Sequence, residues 1–322
     1  MVRKEKLNFL ICSPRQGAGG PIVLHALCQK LQSMGYDARI FIPYWPIFSG
    51  NKSRPLFWFE YFIGLMVDES KVLIKRLLGK KLLFLLHKGS DGVLYCPVKG
   101  CRRQWLPFVD DNTIVVYPEI VRGNPLNAKR VVRWLLFYYK YADDPLAYNK
   151  SDVFIAYRKQ FDCPKVNPDG NLVKVSYFDS DVYRQTNFGE RSGCCYIVRK
   201  GCNRPDLPKT YNGPVIDTWP DEKKVEAFNR YKICYLYDTQ TFYASIAAVC
   251  GCIPVVVMEK GRTVDSYRKG TDRRDGVAYG EDDIPRALAT RDELLKQLDF
   301  NESNTQAVKN FLRIVRQHFK VE

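Results

Sequence analysis

Residues 231–259, YKICYLYDTQTFYASIAAVCGCIPVVVME, constrain the fold of this chain more than any other stretch. Residues 232–237 are a short apolar run rich in aromatics, which is typical of a buried strand. Residues 241–250 are apolar on nearly every side, which predicts a helix that is covered all round, and Gly251 suits its C-terminus. Residues 253–258 have the β-branched character of a strand inside a parallel sheet. The stretch therefore predicts a β–α–β unit of an α/β fold.

The turn at residues 238–241 is the first candidate for a binding site. Ligands of such units bind beyond the carboxyl ends of the strands, and this turn follows the first strand. Asp238 and Thr239 are residue types that cap helices, because their side-chain oxygens accept from the first free backbone N–H groups. Those N–H groups and the positive end of the helix dipole suit a phosphate.

The run YDTQTFYASIAAVCGCIPVVV resembles the donor-binding segment of retaining glycosyltransferases of the GT-B fold, of the type that builds bacterial capsule and O-antigen polysaccharides. In that family a strand ends in an acidic residue, a buried helix follows, and a Cys-Gly-x-Pro-Val-Val segment enters the next strand. The resemblance implies a second acidic residue on the ribose, eight positions after Asp238, where this chain has Ile246. Ile246 cannot hydrogen-bond a ribose, so the nucleotide base is left open. The donor contacts that the resemblance implies in this segment are Tyr237, Asp238, Thr239, Thr241 and Phe242.

Length and charge narrow the class of protein. The 322 residues have room for two domains. The 50 Lys and Arg against 35 Asp and Glu favour anionic partners, namely nucleotides and diphosphates, acidic lipid headgroups or nucleic acid. No nucleic-acid motif is present, so we expect no nucleic-acid partner. Eleven cysteines without a signal peptide predict a cytoplasmic protein with reduced thiols. No apolar run reaches the length of a membrane span, and three histidines without a Cys-x-x-Cys pair make a zinc site improbable.

The first part of the chain has the start of a Rossmann-like domain. Residues 7–12 predict a strand, residues 22–34 a helix and residues 38–42 a second strand. The glycine-rich turn SPRQGAGGP joins the first strand to the helix, and it lacks the G-x-G-x-x-G pattern of dinucleotide sites. In the glycosyltransferases that the chain resembles, this loop approaches the donor phosphates, and the alternative is that it only makes a tight turn. The loop glycines are Gly17, Gly19 and Gly20.

Residues 44–89 combine aromatic and basic side chains. On a helical wheel, leucines near residue 75 share one side while Lys71, Lys75 and Arg76 share the other. A basic amphipathic helix beside aromatic side chains is typical of binding to an anionic membrane surface. A surface helix that packs its leucines on the core is the alternative. We expect the region to face the inner side of the plasma membrane and to receive a lipid-linked acceptor.

The phrase VVYPEIVRGNPLNAKRVVRWLL resembles a segment of bacterial polysaccharide glycosyltransferases in which a strand ends at the cleft. Residues 113–117 predict that strand. Glu119 follows its tip, where it can contact sugar hydroxyls or an acceptor oxygen, or else cap the following turn. Residues 127–139 have apolar side chains at helical spacing and predict a helix.

Two charged motifs lie in the second half of the chain. Asp179 and Asp181 form an Asp-Ser-Asp sequence, which some metal-dependent glycosyltransferases use to hold a divalent ion, although turns after strands favour the same residues. Arg199 and Lys200 follow a strand predicted at residues 194–198. Arginine offers a bidentate fork and lysine a point charge to a diphosphate, and a solvated surface pair is the alternative.

These features predict an α/β protein, and the resemblance implies the GT-B fold, with two Rossmann-like domains whose parallel sheets face each other across a cleft. The predicted domains are residues 1–161 for the acceptor and 171–302 for the nucleotide-sugar donor. The resemblance implies that a C-terminal helix in residues 303–322 packs back on the first domain.

The predicted activity is the transfer of a sugar from a nucleoside diphosphate sugar to a glycan or lipid-linked oligosaccharide, without metal or other cofactor. The alternatives are a metal-dependent transferase that uses Asp179 and Asp181, a non-catalytic nucleotide-sugar-binding protein, and a sugar-nucleotide epimerase. The predicted catalytic residues are Glu119, Asp238, Arg199 and Lys200. The predicted donor-binding residues are Gly19, Gly20, Arg199, Lys200, Tyr237, Asp238, Thr239, Thr241 and Phe242.

Overall fold

The computed structural model describes residues 7–14, 19–42, 56, 59–67, 70, 96–106, 108–239, 241–264 and 274–321. The chain divides into two compact units. Unit 1 runs to Tyr177 and resumes with Phe300–Glu322, and unit 2 is Phe178–Asp299. The domain limits predicted from the sequence, at residues 161, 171 and 302, differ from the limits of these units and stay predictions.

Unit 1 is built on a five-stranded sheet whose strands are all parallel. Its strand order is β2-β1-β3-β4-β5, with β1 between β2 and β3. The predicted opening strand, helix and second strand are confirmed, because their apolar side chains fill one core. The elements are β1 (Asn8–Cys12), α1 (Gly19–Ser33), β2 (Asp37–Phe41), β3 (Thr113–Pro118), β4 (Arg130–Leu135) and β5 (Val153–Ala156).

The helix predicted at residues 127–139 is wrong, because β4 occupies its centre. The segment RVVRWL has apolar residues at helical spacing, but its β-branched pair suits a strand better than a helix. Arg133 is buried in this strand and pairs with the carboxylate of Asp152 at 2.6 Å. Its guanidinium also donates to the carbonyl oxygens of Val121 and Gly123. The buried charge is tolerated because all of these partners satisfy it.

Unit 2 is built on a four-stranded parallel sheet of order β6-β7-β8-β9. The β–α–β unit that the sequence predicts is confirmed, with β7 and β8 paired in the register of Ile233 to Ile253. Its helix packs Ala247 into the core beside Phe228. The elements are β6 (Ser192–Ile197), α2 (Asp221–Arg230), β7 (Tyr231–Leu236), α3 (Tyr243–Val249), β8 (Ile253–Val256), β9 (Ala278–Tyr279), α4 (Ile284–Ala289) and α5 (Arg291–Gln297).

The last helix, α6 (Asn301–Phe319), belongs to unit 1 although it follows unit 2 in the chain. Val308, Phe311 and Val315 lie on one face of α6 and are buried in the core that contains α1. The ring of Phe311 lies 5.7 Å from that of Phe9. The predicted α/β class, with two parallel Rossmann-like sheets and a helix that returns to the first, is therefore confirmed. That the sheets face each other across a cleft stays a prediction.

Candidate functional site

The carboxyl ends of the strands form one edge of each sheet, called the carboxyl edge below. In unit 2 the chain changes direction at β6. Residue Val215 pairs with Tyr196 on one side of this strand, and β7 pairs on its other side. A switch of this kind opens a crevice at the carboxyl edge, which is where α/β sheets bind ligands.

Arg199 and Lys200 lie at this switch point, on a single 3-10 turn, Arg199–Gly201, that follows β6. Both side chains are exposed. The carboxylate of Asp217 accepts hydrogen bonds from the backbone N–H groups of Val198 at 3.1 Å and Arg199 at 2.9 Å. These bonds hold Arg199 at a φ of 32°, which is uncommon for a residue with a side chain. The turn that presents the two cations therefore has a fixed backbone.

Gly201 places this turn directly against the end of β7. A Cβ added to Gly201 would lie 2.8 Å from the carbonyl carbon of Tyr237 and closer still to its oxygen. The Tyr237 N–H donates to the carbonyl of Ile197 at 2.8 Å, which continues the pairing of the two strands. The cations are thus held beside residues 237–239, the other predicted half of the donor site.

Tyr243 supports the Arg199 side chain. The guanidinium lies 5.6 Å from the centre of the Tyr243 ring, and the Lys224 ammonium lies 4.6 Å from the same centre. The Tyr243 hydroxyl donates to Asp221 at 2.7 Å. Burial, followed by the hydrogen bond to Asp221, raises the pKa of Tyr243, so its hydroxyl stays protonated. The Tyr243 ring thus contacts two cations, of which Lys224 is also paired with the Asp221 carboxylate at 3.2 Å.

The capping that was predicted for Asp238 and Thr239 is wrong. Helix α3 begins only at Tyr243, and the Thr241 hydroxyl accepts from the Tyr243 N–H at 3.3 Å. With seven residues, α3 offers a weaker dipole than the predicted helix. Asp238 and Thr241 are buried, and the Phe242 ring is 51% exposed beside the turn.

The resemblance implies a donor contact at Tyr237 and a ribose contact at the position of Ile246. The surroundings of both residues differ from this expectation. The Tyr237 ring is buried beneath the Arg204 guanidinium, which lies 5.1 Å from its centre. Arg204 donates to the carbonyl of Val257 at 2.6 Å and pairs with Asp206 at 2.7 Å, so it ties the ends of β7 and β8 together. Ile246 is buried in the core of unit 2, which excludes it as a ribose contact.

The carboxyl edge of unit 1 has its own switch point between β1 and β3. Glu119 follows β3, and its carboxylate accepts from the Leu136 N–H at 3.1 Å. Burial raises the pKa of Glu119 in spite of its hydrogen bonds to backbone N–H groups, which lower it. Gly19 and Gly20 begin α1 after β1, and a Cβ added to either would meet no heavy atom within 3.4 Å. Gly17 lies outside the described residues.

The Asp-Ser-Asp sequence forms a turn. The Asp179 carboxylate accepts from the N–H groups of Asp181 at 3.1 Å and Val182 at 3.2 Å. Within the described part of the chain, no three His, Cys, Asp or Glu side chains form a group that could hold a metal ion. The two hydrogen bonds give the Asp179 carboxylate a local role in the turn.

The amphipathic helix predicted near residue 75 lies outside the described residues. Helical residues 59–67, which precede it, are described. Phe59 and Met66 on this helix are 64% and 71% exposed. No helix in the described ranges has the length and apolar character needed to cross a bilayer.

The site residues that sequence reasoning missed are Asp217, Arg204, Lys224 and Tyr243. Each acts through a partner far along the chain, as Asp217 does through Arg199 and Tyr243 through Asp221. Only Asp217 has a local sequence signal, because it follows the apolar pair Val215 and Ile216, which suits the end of a short strand.

No family model matches the sequence, and the search of curated proteins found no match. Solved structures that align with nearly the whole chain include the spinosyn forosaminyltransferase SpnP, at 13% identity and a TM-score of 0.37 over 96% of this chain and 99% of that one. The glycosyltransferase SnogD from Streptomyces nogalater aligns at 10% identity and a TM-score of 0.33 over 98% of both chains. A putative UDP-N-acetylglucosamine 2-epimerase from Listeria monocytogenes aligns at 10% identity and a TM-score of 0.36 over 97% of both. Similarities at this level carry no argument about family or activity, so function is inferred from the side chains at the two carboxyl edges.

Proposed function

We propose that this chain is a GT-B glycosyltransferase that moves a sugar from a nucleoside diphosphate sugar to a glycan acceptor. The observation that carries the proposal is the pair of exposed cations, Arg199 and Lys200, on the fixed turn at the switch point of unit 2. The resemblance of residues 237–257 to a donor-binding segment supports it. Retention of the anomeric configuration is part of the same proposal and rests on that resemblance.

The chemistry of the transfer explains why such a turn is useful. Breaking the bond at the anomeric carbon leaves negative charge on the diphosphate and positive character on the sugar. A guanidinium can bind two phosphate oxygens at once, and an ammonium adds a second positive charge. Because Asp217 fixes the backbone and Tyr243 supports Arg199, these charges need little rearrangement as the leaving group forms. In this proposal the two cations neutralise the diphosphate and no metal or other cofactor takes part.

The remaining predicted residues have subsidiary roles in the proposal. Asp238 orients the donor sugar beside the cations, and Thr239, Thr241 and Phe242 line the same turn. In unit 1, Gly19 and Gly20 leave room for phosphate oxygens near the start of α1, because neither carries a side chain. Glu119 holds an acceptor hydroxyl at the unit 1 switch point.

We further propose a lipid-linked surface-polysaccharide intermediate as acceptor, met at an anionic membrane on its cytoplasmic side. Support comes from the exposed apolar side chains of residues 59–67 and of a neighbouring loop that includes Trp105 and Phe108. The Tyr61 hydroxyl donates to the Trp105 carbonyl, which holds the two segments together. Flotation with phosphatidylglycerol liposomes tests this step, with Phe59→Ser and Met66→Ser expected to lower recovery. Equal recovery with neutral phosphatidylcholine liposomes would contradict it.

The donor site is tested by thermal stabilisation with UDP, GDP, dTDP and CMP, each with and without manganese. A ligand at a hundredfold excess over its Kd adds about 2.7 kcal/mol to the unfolding free energy. Arg199→Ala and Lys200→Ala should each remove most of the nucleotide-induced rise in Tm while the Tm without ligand changes little, because both side chains are exposed.

Lys209→Ala is the matched control, since it removes an exposed cation from the same unit. A nucleotide response in both site variants equal to that of the control would refute the phosphate site. Release of nucleoside diphosphate that depends on an acceptor separates a transferase from an epimerase or from a binding protein.

A further inference from the structure

Two exposed aromatic rings, Phe137 and Tyr138, and the half-buried ring of Phe161 form a compact cluster at the carboxyl edge of unit 1. The rings of Phe137 and Tyr138 are 4.9 Å apart, and each lies 5.4 Å from the ring of Phe161. Phe137 and Tyr138 are 54% and 57% exposed, although apolar rings of this size are usually covered. We call these three residues the aromatic platform. Exposed apolar clusters of this kind mark binding sites more often than isolated exposed side chains do.

The base of the platform is fixed to the sheet. Phe137 and Tyr138 come directly after β4, and Phe161 ends the 3-10 turn Lys159–Phe161 that follows β5. The Leu135 carbonyl accepts from the Tyr157 N–H at 3.0 Å, and the Leu136 N–H donates to Glu119. The peptide group that joins Leu135 to Leu136, just before Phe137, is thus held at both its carbonyl and its N–H, so the platform is presented by strand ends rather than by a long loop.

The same hydrogen bond places the platform beside Glu119. Consecutive Cα atoms are about 3.8 Å apart, so Phe137 starts one residue from the amide that binds the Glu119 carboxylate. Neighbouring strands are about 4.8 Å apart, which sets the platform one to two strand spacings from β3 along the edge. A ligand on the platform therefore extends from the Glu119 carboxylate by about the size of one or two sugar rings.

We propose that the aromatic platform binds a pyranose ring of the acceptor glycan and thereby orients its reacting hydroxyl towards Glu119. This inference rests on the proposed function, since it names the acceptor subsite of that reaction. A pyranose has an apolar C–H face that packs on an aromatic ring, while its hydroxyls need polar partners. Glu119 supplies an acceptor on one side, and the exposed side chains of Lys140, Lys159 and Gln160 lie within two residues of the rings along the chain.

The surroundings distinguish a glycan from a lipid surface. Burial of a protein face in a bilayer needs a wide apolar band, whereas the residues near these three rings along the chain include the exposed side chains of Lys140, Lys159 and Gln160. Stacking on single-stranded nucleic acid bases uses the same type of ring. The Glu119 carboxylate accepts hydrogen bonds from the hydroxyls of a glycan and repels the phosphates of a nucleic acid. Because Lys140 and Lys159 would attract those phosphates, the test below includes an oligothymidine.

The test is binding of the full chain to an array of immobilised oligosaccharides ending in hexoses, deoxyhexoses, hexosamines and uronic acids. The double variant Phe137→Ala/Tyr138→Ala should lose the array signal by about tenfold or more, since two ring contacts are removed. Tyr138→Phe should keep it, because the ring and not the hydroxyl makes the contact. Phe188→Ala, which removes an exposed phenylalanine from unit 2, is the matched control and should bind as the unchanged chain does.

Several results would overturn the platform. They are an unchanged array signal in the double variant, no glycan bound by the unchanged chain, or stronger binding to an oligothymidine or to phosphatidylglycerol vesicles that also depends on Phe137 and Tyr138. The UDP-induced rise in Tm, measured on the same samples, reports on unit 2. If UDP raises the Tm of the unchanged chain but no glycan binds, the platform alone is refuted. If UDP does not raise the Tm of the unchanged chain, the donor site is refuted.

Discussion

Replacing Gly201 by alanine tests the geometry on which the donor site depends. The added Cβ would lie 2.8 Å from the carbonyl carbon of Tyr237, whereas non-bonded carbon atoms settle at about 3.5–4.0 Å. The methyl group must therefore move by about 1 Å. Neither backbone can yield easily, because the Gly201 N–H donates to Val198 at 2.7 Å and the Tyr237 N–H donates to Ile197 at 2.8 Å.

The size of the effect follows from this overlap. Forcing an extra methylene into a packed site costs about 1–3 kcal/mol. For a domain of the size of unit 2 this lowers Tm by roughly 4–12 °C. Since the displaced turn carries Arg199 and Lys200, the rise in Tm that a nucleotide produces should shrink as well.

Differential scanning calorimetry with and without UDP measures both effects. The control is Gly189→Ala in the same unit, where the nearest heavy atom to the new Cβ is a flexible Asn187 oxygen at 3.4 Å. If Gly201→Ala has the same Tm as the Gly189→Ala control, the close packing of the two strand ends is refuted. A lower Tm with an intact nucleotide response refutes the link between this packing and the phosphate site.

Three further substitutions test buried groups in unit 1. Burial raises the pKa of Glu119, so the stability that its proton contributes is present below the ordinary value of 4.5 and is lost as the pH rises. Glu119→Gln keeps an acceptor for Leu136 and should raise Tm at pH 7, with a difference that shrinks towards pH 4. Burial lowers the pKa of His25 from 6.5 to about 4, so the stability from its neutral form is present above pH 6.5 and is lost as the pH falls towards 4. His25→Asn should flatten this part of the Tm profile. Asp152→Ala leaves Arg133 buried without its carboxylate and should cost about 3–5 kcal/mol in urea unfolding.

Each of these predictions has an outcome that would contradict it. Unchanged pH profiles of Tm in Glu119→Gln and His25→Asn would show that neither group titrates differently in the folded protein. For Asp152, the control is Asp111→Ala, which breaks an exposed pair with Lys129 and should change the unfolding free energy by less than about 1 kcal/mol. Equal losses in the two aspartate variants would contradict the importance of the buried pair.

The β–α–β unit around α3 could be predicted because its signals are local. Its two strands have apolar runs of strand length, its helix is apolar all round, and Gly251 ends it with a φ of 90°. The start of the helix could not be predicted in the same way. Asp238 and Thr239 are good capping residues, but Arg274 donates to the Thr241 carbonyl and the helix begins two residues after that threonine. The turn before the helix thus has a partner 33 residues away in the chain, which no local pattern indicates.

The helix predicted at residues 127–139, where the structure has β4, was wrong for a related reason. Its apolar positions fit both a helix and a buried strand, and periodicity alone does not separate the two for so short a run. In the structure the buried Arg133 pairs with Asp152, which lies beyond a loop, and no local pattern indicates this pair. The cationic turn at Arg199 was predicted from its place after a strand. Its support by Asp217 and Tyr243 depends on tertiary contacts that no local pattern encodes.

The return of α6 to unit 1 has a consequence for how the protein is made. Unit 2 is continuous, so it can finish folding as soon as it leaves the ribosome, whereas unit 1 lacks α6 until residues 301–319 have been synthesised. At about 5–20 residues per second, the first unit waits on the order of ten seconds with the apolar surface of α1 uncovered. A chain truncated before residue 301 would therefore lack α6, and the unit most affected would be unit 1, which is synthesised first. We expect chaperones to bind the nascent chain at α1.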